Sequence, residues 1–128
     1  MSYADLILKW GDVTMGDRST IGCFSEINAT GSRVIIGEDC DIASFVSINV
    51  ADSHKGCVEE SKTVVRRPII IQDHVFIGSF VLVMGGAVIG HHSVVGAGTV
   101  VTAGVIPPYS LVVGNPMVVK EGYYGPAI

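Results

Sequence analysis

The sequence predicts an all-β fold, a triangular prism wound from short strands at eighteen residues per coil. Aliphatic residues return every sixth position, at Ile71, Ile77, Val83, Ile89, Val95 and Val101. Small residues often follow them, as at Gly78, Gly90 and Gly96. A beat of six matches neither a helix nor an ordinary strand. Three short strands joined by tight turns satisfy it: each aliphatic side chain points inward from one wall, and glycine suits turns that need positive φ. Successive coils then pair backbone to backbone, roughly 4.8 Å apart along the axis. The alternative, a β-sandwich, would alternate with period two.

The elements follow in order. The opening "MSYADLILKWGD" has neither the basic start nor the long apolar core of a signal peptide. No apolar run reaches the length of a membrane span, so a cytoplasmic protein without membrane insertion is expected. The first coil covers residues 15–32, with Met15, Ile21 and Ile27 inward. A three-residue slip falls at "TGSR", residues 30–33, a turn-like stretch. The second coil, 36–53, carries Ile36, Ile42 and Ile48. A polar, charged segment then interrupts the beat over about 54–70, which reads as one extruded loop. Coils three and four occupy 71–88 and 89–106, with a partial fifth near Val113. The fourth residue after each aliphatic is also small or apolar, at Val75, Val81, Ala87, Ser93, Thr99 and Val105. About a dozen inward residues, at roughly 1.5–3 kcal/mol each, make a core for one thin rod. Residues 1–128 thus form a single domain, with a C-terminal tail from about 117 to 128.

Composition narrows the function. A net charge of −4 offers no surface for nucleic acid or an anionic membrane. Three cysteines, Cys23, Cys40 and Cys57, fit reduced thiols better than a disulfide scaffold. Between residues 71 and 106 the only Asp, Glu, Lys or Arg is Asp73. An outer wall covered by another subunit would explain this, as would a Ser/Thr/Gly-rich wall that needs no charge.

The segment "PIIIQDHVFIGSFVLVMGGAVIGHHSVVGAGTVVTAGVIPPYSLVVGNP" resembles the C-terminal half of the hexapeptide-repeat acyltransferases. The likeness runs from about Ile36 to Pro116 and is nearest the branch of galactoside, maltose, streptogramin and polysaccharide O-acetyltransferases. It implies a left-handed parallel β-helix of about four to five coils and a homotrimer. It also implies acetyl-CoA as acyl donor, no required metal, and active sites between neighbouring subunits.

The same resemblance assigns the interruption. In that family a loop leaves the coil beside the catalytic histidine, and His54 occupies the place, although "VADSH" is one residue longer than the usual lead-in. An imidazole can take the proton of an acceptor hydroxyl and return it to the leaving thiolate. By resemblance, the Ser79 backbone N–H serves the oxyanion. Phe76, Ser79, Ala97, Gly98 and Thr102 border the donor, with Lys120 left to meet its phosphates where relatives have more cations; Ala103, Met117 and Val118 stand in their place. Acceptor candidates are Asn28, Asn49 and Asp52, each equally suited to capping a turn. Arg66 and Arg67 belong to a loop with half of the chain's eight basic residues, suiting an anionic sugar or plain solvation. Glu59 or Glu60 would hold one His54 tautomer, as would a backbone carbonyl.

Other classes fit less. A γ-class carbonic anhydrase places three histidines on zinc; His74 and His92 stack eighteen apart and His91 lies beside them, but the close His-x-x-x-x-His pair is missing. An ice-binding or other non-catalytic solenoid would show regular Thr ladders. A serine acetyltransferase would carry a helical N-terminal domain. N-acetylation of a nucleotide-linked amino sugar is the nearest alternative; relatives with that activity carry "ND…PR" where this chain has "ADSHKG". A small-molecule or glycan acceptor is expected, and the short N-terminus favours a large one.

Overall fold

The computed structural model describes residues 3–125. Its strands form three walls of a parallel β-helix. The first wall stacks Leu8–Met15 and Glu26–Ile36 by their first halves, then Ser47–Asn49, Leu82–Met84 and Val100–Val101. The second stacks the second halves of the same two strands, then Ile69–Ile71, Ala87–Ile89 and Gly104–Ile106. The third stacks Thr20–Ile21, Asp41–Ile42, Phe76–Ile77, Val94–Val95 and Leu111–Val113. Each wall therefore has five rungs, in keeping with the expected four to five coils. On the second and third walls the last rung, Gly104–Ile106 and Leu111–Val113, is the partial final coil; on the first wall the extra rung is the first half of Leu8–Met15, which lies before the beat begins.

Register explains the departures from six. On the first wall Ile27 sits under Ile48, Ile48 under Val83 and Val83 under Val101. The steps are twenty-one, thirty-five and eighteen residues. Three extra residues, 30–32, bulge where the first wall turns into the second, so "TGSR" stays within one continuous strand rather than forming a turn. A further seventeen leave the same corner as the extruded loop. The last coil is one residue short: Val95 sits under Val112, seventeen residues on. The shortening falls at the Thr102–Ala103 corner, because Gly104 already pairs with Ala87. It corrects two expectations. Val112, not Val113, is buried; Val105 is 76% exposed while Ile106 takes the inward place.

The core is the column of inward aliphatics. Ile27, Ile48, Val83 and Val101 close the first wall, Ile36, Ile71, Ile89 and Ile106 the second, and Ile42, Ile77, Val95 and Val112 the third, all buried. Met15 is only half-buried, since no coil lies beneath it. Buried Ser25, Ser93, Thr99 and Ser110 are all hydrogen-bonded; Thr99 Oγ1, for instance, donates to the Gly96 carbonyl at 2.6 Å and accepts the Gly114 N–H at 3.2 Å. At Gly78 a Cβ would stand 2.6 Å from the Ala97 nitrogen, so only glycine lets the coils approach there.

The expected tail holds a strand: Val118–Lys120 pairs antiparallel with Leu111–Val113, and Met117 and Val119 pack on the core's end. Residues 126–128 of that tail lie outside the described residues. On the outer face of the second wall Ile35, Ile70, Val88 and Val105 follow one another up the rungs, an apolar stripe without charge. Among the described residues no helix is long and apolar enough to cross a membrane.

Candidate active site

The extruded loop is built at its stem. Asn49 Oδ1 accepts the Ala51 N–H at 2.9 Å, turning the chain outward. Ala51–Asp52 then pairs antiparallel with Val65–Arg66, and the Arg67 N–H donates to the Val50 carbonyl at 3.1 Å. The segment that leaves the rod thus spans about 51–68, slightly earlier than the expected 54–70. Between the stem strands one helical turn, His54–Val58, opens at His54.

Asp52 fixes that histidine. Its Oδ1 accepts the His54 backbone N–H at 3.0 Å and lies 2.6 Å from His54 Nδ1. The His54 N–H bonds, backbone first, hold the Asp52 carboxyl below the usual carboxylate range. A carboxylate only accepts, so Nδ1 carries the proton and Nε2 presents its lone pair. Neither Glu59 nor Glu60 makes this contact. Sequence reasoning placed Asp52 among the acceptor contacts; the two-residue spacing to His54 was the available signal for its orienting role.

A groove of about 220 Å³ opens beside the pair, lined by Asp52, His54 and Lys55, by Val65 and Arg67, and by Met84, Gly85 and Ala103. Arg66 is not part of it. Strand alternation turns Arg66 the other way, across Gly31, where an added Cβ would strike its side chain. Asn28 and Asn49 are neighbours on adjacent rungs. Both spend their side-chain oxygens locally, Asn28 on the Thr30 N–H at 3.1 Å.

Of the residues expected on the donor side, Ser79, Ala97 and Gly98 share a different corner, where the third wall turns into the first. The Gly98 N–H donates to the Ser79 carbonyl at 2.9 Å, and Ala97 packs over Gly78. Phe76 stands half-exposed on the outside of the third wall, and Lys120 on its last strand beside Leu111. Thr102 belongs instead to the corner of His54, its hydroxyl 3.9 Å from Met117 Sδ. Ser79 and the His54 groove lie at opposite ends of Leu82–Met84. The width of the first wall therefore lies between the two groups within one prism.

The remaining corner carries a larger groove, about 620 Å³, lined in part by Ile35, Ile70, His74, His91 and His92. His74 and His92 do stack, with ring centroids 4.6 Å apart, and His91 Nδ1 lies 2.9 Å from His92 Nδ1. Among the described residues no group of three or more His, Cys, Asp or Glu is arranged to hold a metal ion.

Residues 68–103 match the family model described as bacterial transferase hexapeptide (six repeats). The chain is 36% identical over 80 residues to the polysialic acid O-acetyltransferase of Escherichia coli O1:K1 / APEC, covering 61% of this chain and 26% of that protein. It is similar to the solved structure of the polySia specific acetyltransferase NeuO, with a TM-score of 0.73 and 32% identity over 84% of this chain and 50% of that one. A hexapeptide-repeat acetyltransferase of Vibrio cholerae O1 biovar eltor, complexed with acetyl coenzyme A, aligns at a TM-score of 0.68 with 27% identity, over 84% of this chain and 69% of that one. The chain thus spans about a quarter of the curated relative's length (26%) and half of NeuO's.

Proposed function

We propose, from the premise that this chain is a left-handed β-helix of hexapeptide repeats of the bacterial transferase type, that it moves an acetyl group from acetyl-CoA to a hydroxyl of a sugar or glycan. The observation that carries the reading is the Asp52–His54 pair, held at 2.6 Å on the stem of the loop and facing a groove. His54 Nε2 takes the hydroxyl proton as the acceptor oxygen bonds to the thioester carbon. The tetrahedral intermediate collapses with loss of the C–S bond, and the same proton goes to the thiolate, releasing CoA. The activities of the relatives, and acetyl coenzyme A in the Vibrio structure, support the reaction class and donor.

The oxyanion donor, the Ser79 N–H, then comes from a second copy whose Ser79 corner meets the His54 corner of the first. Repeated head to tail, that contact closes as a homotrimer with three equivalent sites. Ala97 and Gly98 of the same corner border the acyl donor, with Phe76, Thr102 and Lys120 toward its nucleotide end. Arg67 and the free amide groups of Asn28 and Asn49 address the acceptor. Asp52 is a positioning residue.

The test is release of free thiol from acetyl-CoA against neutral sugars, amino sugars and sialylated glycans. His54→Ala should lower the rate ~10²-fold or more. Asp52→Asn, which loses the fixed tautomer, should lower kcat about tenfold or more with acceptor KM little changed. His74→Ala and His92→Ala should act weakly. A fully active His54→Ala protein, or no thiol release with any acceptor, would sink the reading.

A further inference from the structure

Phe24, Phe45 and Phe80 occupy equivalent places on successive rungs of the Ser79 corner, and each has a left-handed backbone, with φ of 63°, 59° and 60°. The N–H of Phe45 donates to the Cys23 carbonyl one rung below, and that of Phe80 to the Ser44 carbonyl. The rings stack, with centroids 5.2 and 5.0 Å apart and planes within 25° and 8°. They remain 58%, 48% and 68% exposed, an aromatic ladder along a corner otherwise made of small residues.

The fourth rung continues the backbone without a ring. Gly98 has φ 75°, and its N–H makes the equivalent bond, to the Ser79 carbonyl at 2.9 Å. Nothing lies within 4 Å of a Cβ built there. The upper face of Phe80 is therefore left uncovered beside Ser79. A flat apolar floor next to a backbone N–H suits a planar group that carries a hydrogen-bond acceptor. The amides and the thioester of an acyl-pantetheine are such groups, whereas a sugar ring is puckered and rich in hydroxyls.

We infer that the open rung between Phe80 and Gly98 is a stacking site for a planar segment of the acyl donor, and that Phe80 is its floor. This deepens the acetyl-CoA reading and rests on it. Phe80 becomes a donor-binding residue, and Gly98 serves by its missing side chain.

The experiment measures coenzyme A binding to the full chain by titration calorimetry, with no acceptor present. Gly98→Phe should complete the ladder, because three phenylalanines already hold this backbone conformation. Its melting temperature and oligomeric state should match the wild type, while coenzyme A affinity falls more than tenfold. Gly98→Ala imposes the same left-handed backbone on a side chain without a ring, so it isolates the backbone effect, and its loss of affinity should be several-fold smaller than that of Gly98→Phe. Phe80→Ala should weaken binding about tenfold, the scale of one lost stacking contact. Wild-type affinity in Gly98→Phe or Phe80→Ala would overturn the inference and leave the transferase reading standing. So would a change of oligomeric state in Phe80→Ala without loss of affinity, which would make the ladder a subunit contact. A wild-type chain that does not bind coenzyme A would remove both.

Discussion

Arg67 lines the groove beside His54, whereas Arg66 lies across Gly31 at the bulge of a lower rung. The antiparallel stem imposes this, because consecutive residues of a strand face opposite ways. If the acceptor carries a carboxylate or phosphate, Arg67 is the cation placed to meet it, with Lys55 beside it. Arg67→Gln should then raise acceptor KM about three- to tenfold in low salt, with less effect as salt increases. Arg66→Gln should leave both substrates' KM within about twofold. Initial-rate measurements at two ionic strengths separate the cases, and equal effects from both arginines would argue against the placement. Asp52 bears on the pH range for such assays. Its folded-state pKa is depressed, so its charged bond to His54 is complete above the ordinary aspartate value and lost only as pH falls through the lowered one. Rate changes between pH 6 and 8 therefore do not arise from Asp52.

At the scale of elements, the walls were legible and the closures were not. Each inward position is sealed by the rungs above and below, so the six-residue beat survives in the residues themselves. The shortened corner at Thr102–Ala103 left no such mark. Val105 and Ile106 are adjacent aliphatics, and only the register with Val88 and Ile89 decides which turns inward. The orienting carboxylate was obscured for a similar reason: Asp52, Glu59 and Glu60 all stand near His54 in sequence, and the stem pairing selects the first. The strand Val118–Lys120 is not legible in the repeat because it runs antiparallel and follows no beat of six. It covers the last rung, where Val112 is fully buried, with help from Met117 and Val119. Ending the chain after Pro116 should cost about 2–4 kcal/mol from these apolar contacts. That is a fall of about 5–15 °C in melting temperature with the β circular dichroism retained. An unchanged melting curve would mean that the strand does not close the core.

At the scale of the molecule, the two halves of the candidate site sit on different corners of one rod, about a wall's width apart. Light scattering should accordingly find three chains per particle, and activity should depend on mixed particles in a particular way. On the proposed mechanism, His54→Ala removes the base from one corner and Ala97→Trp blocks the donor groove at another. Each alone should be inactive. Unfolded together at equal amounts and refolded, they should recover about a quarter of wild-type activity, since one interface in four then joins an intact His54 to an intact Ala97 corner. No recovery in mixed trimers would place the whole site within a single chain.

The steps between rungs, eighteen residues in one place and thirty-five or seventeen in others, have a further consequence. The parallel ladder resumes in register whatever the corner between two strands has done. A corner can therefore gain or lose chain without disturbing the hydrogen bonds above and below it, and the bulge and the loop both use the same one. A segment spliced in at that corner would change what the rod presents there while leaving the rungs, and the Ser79 corner, as they are.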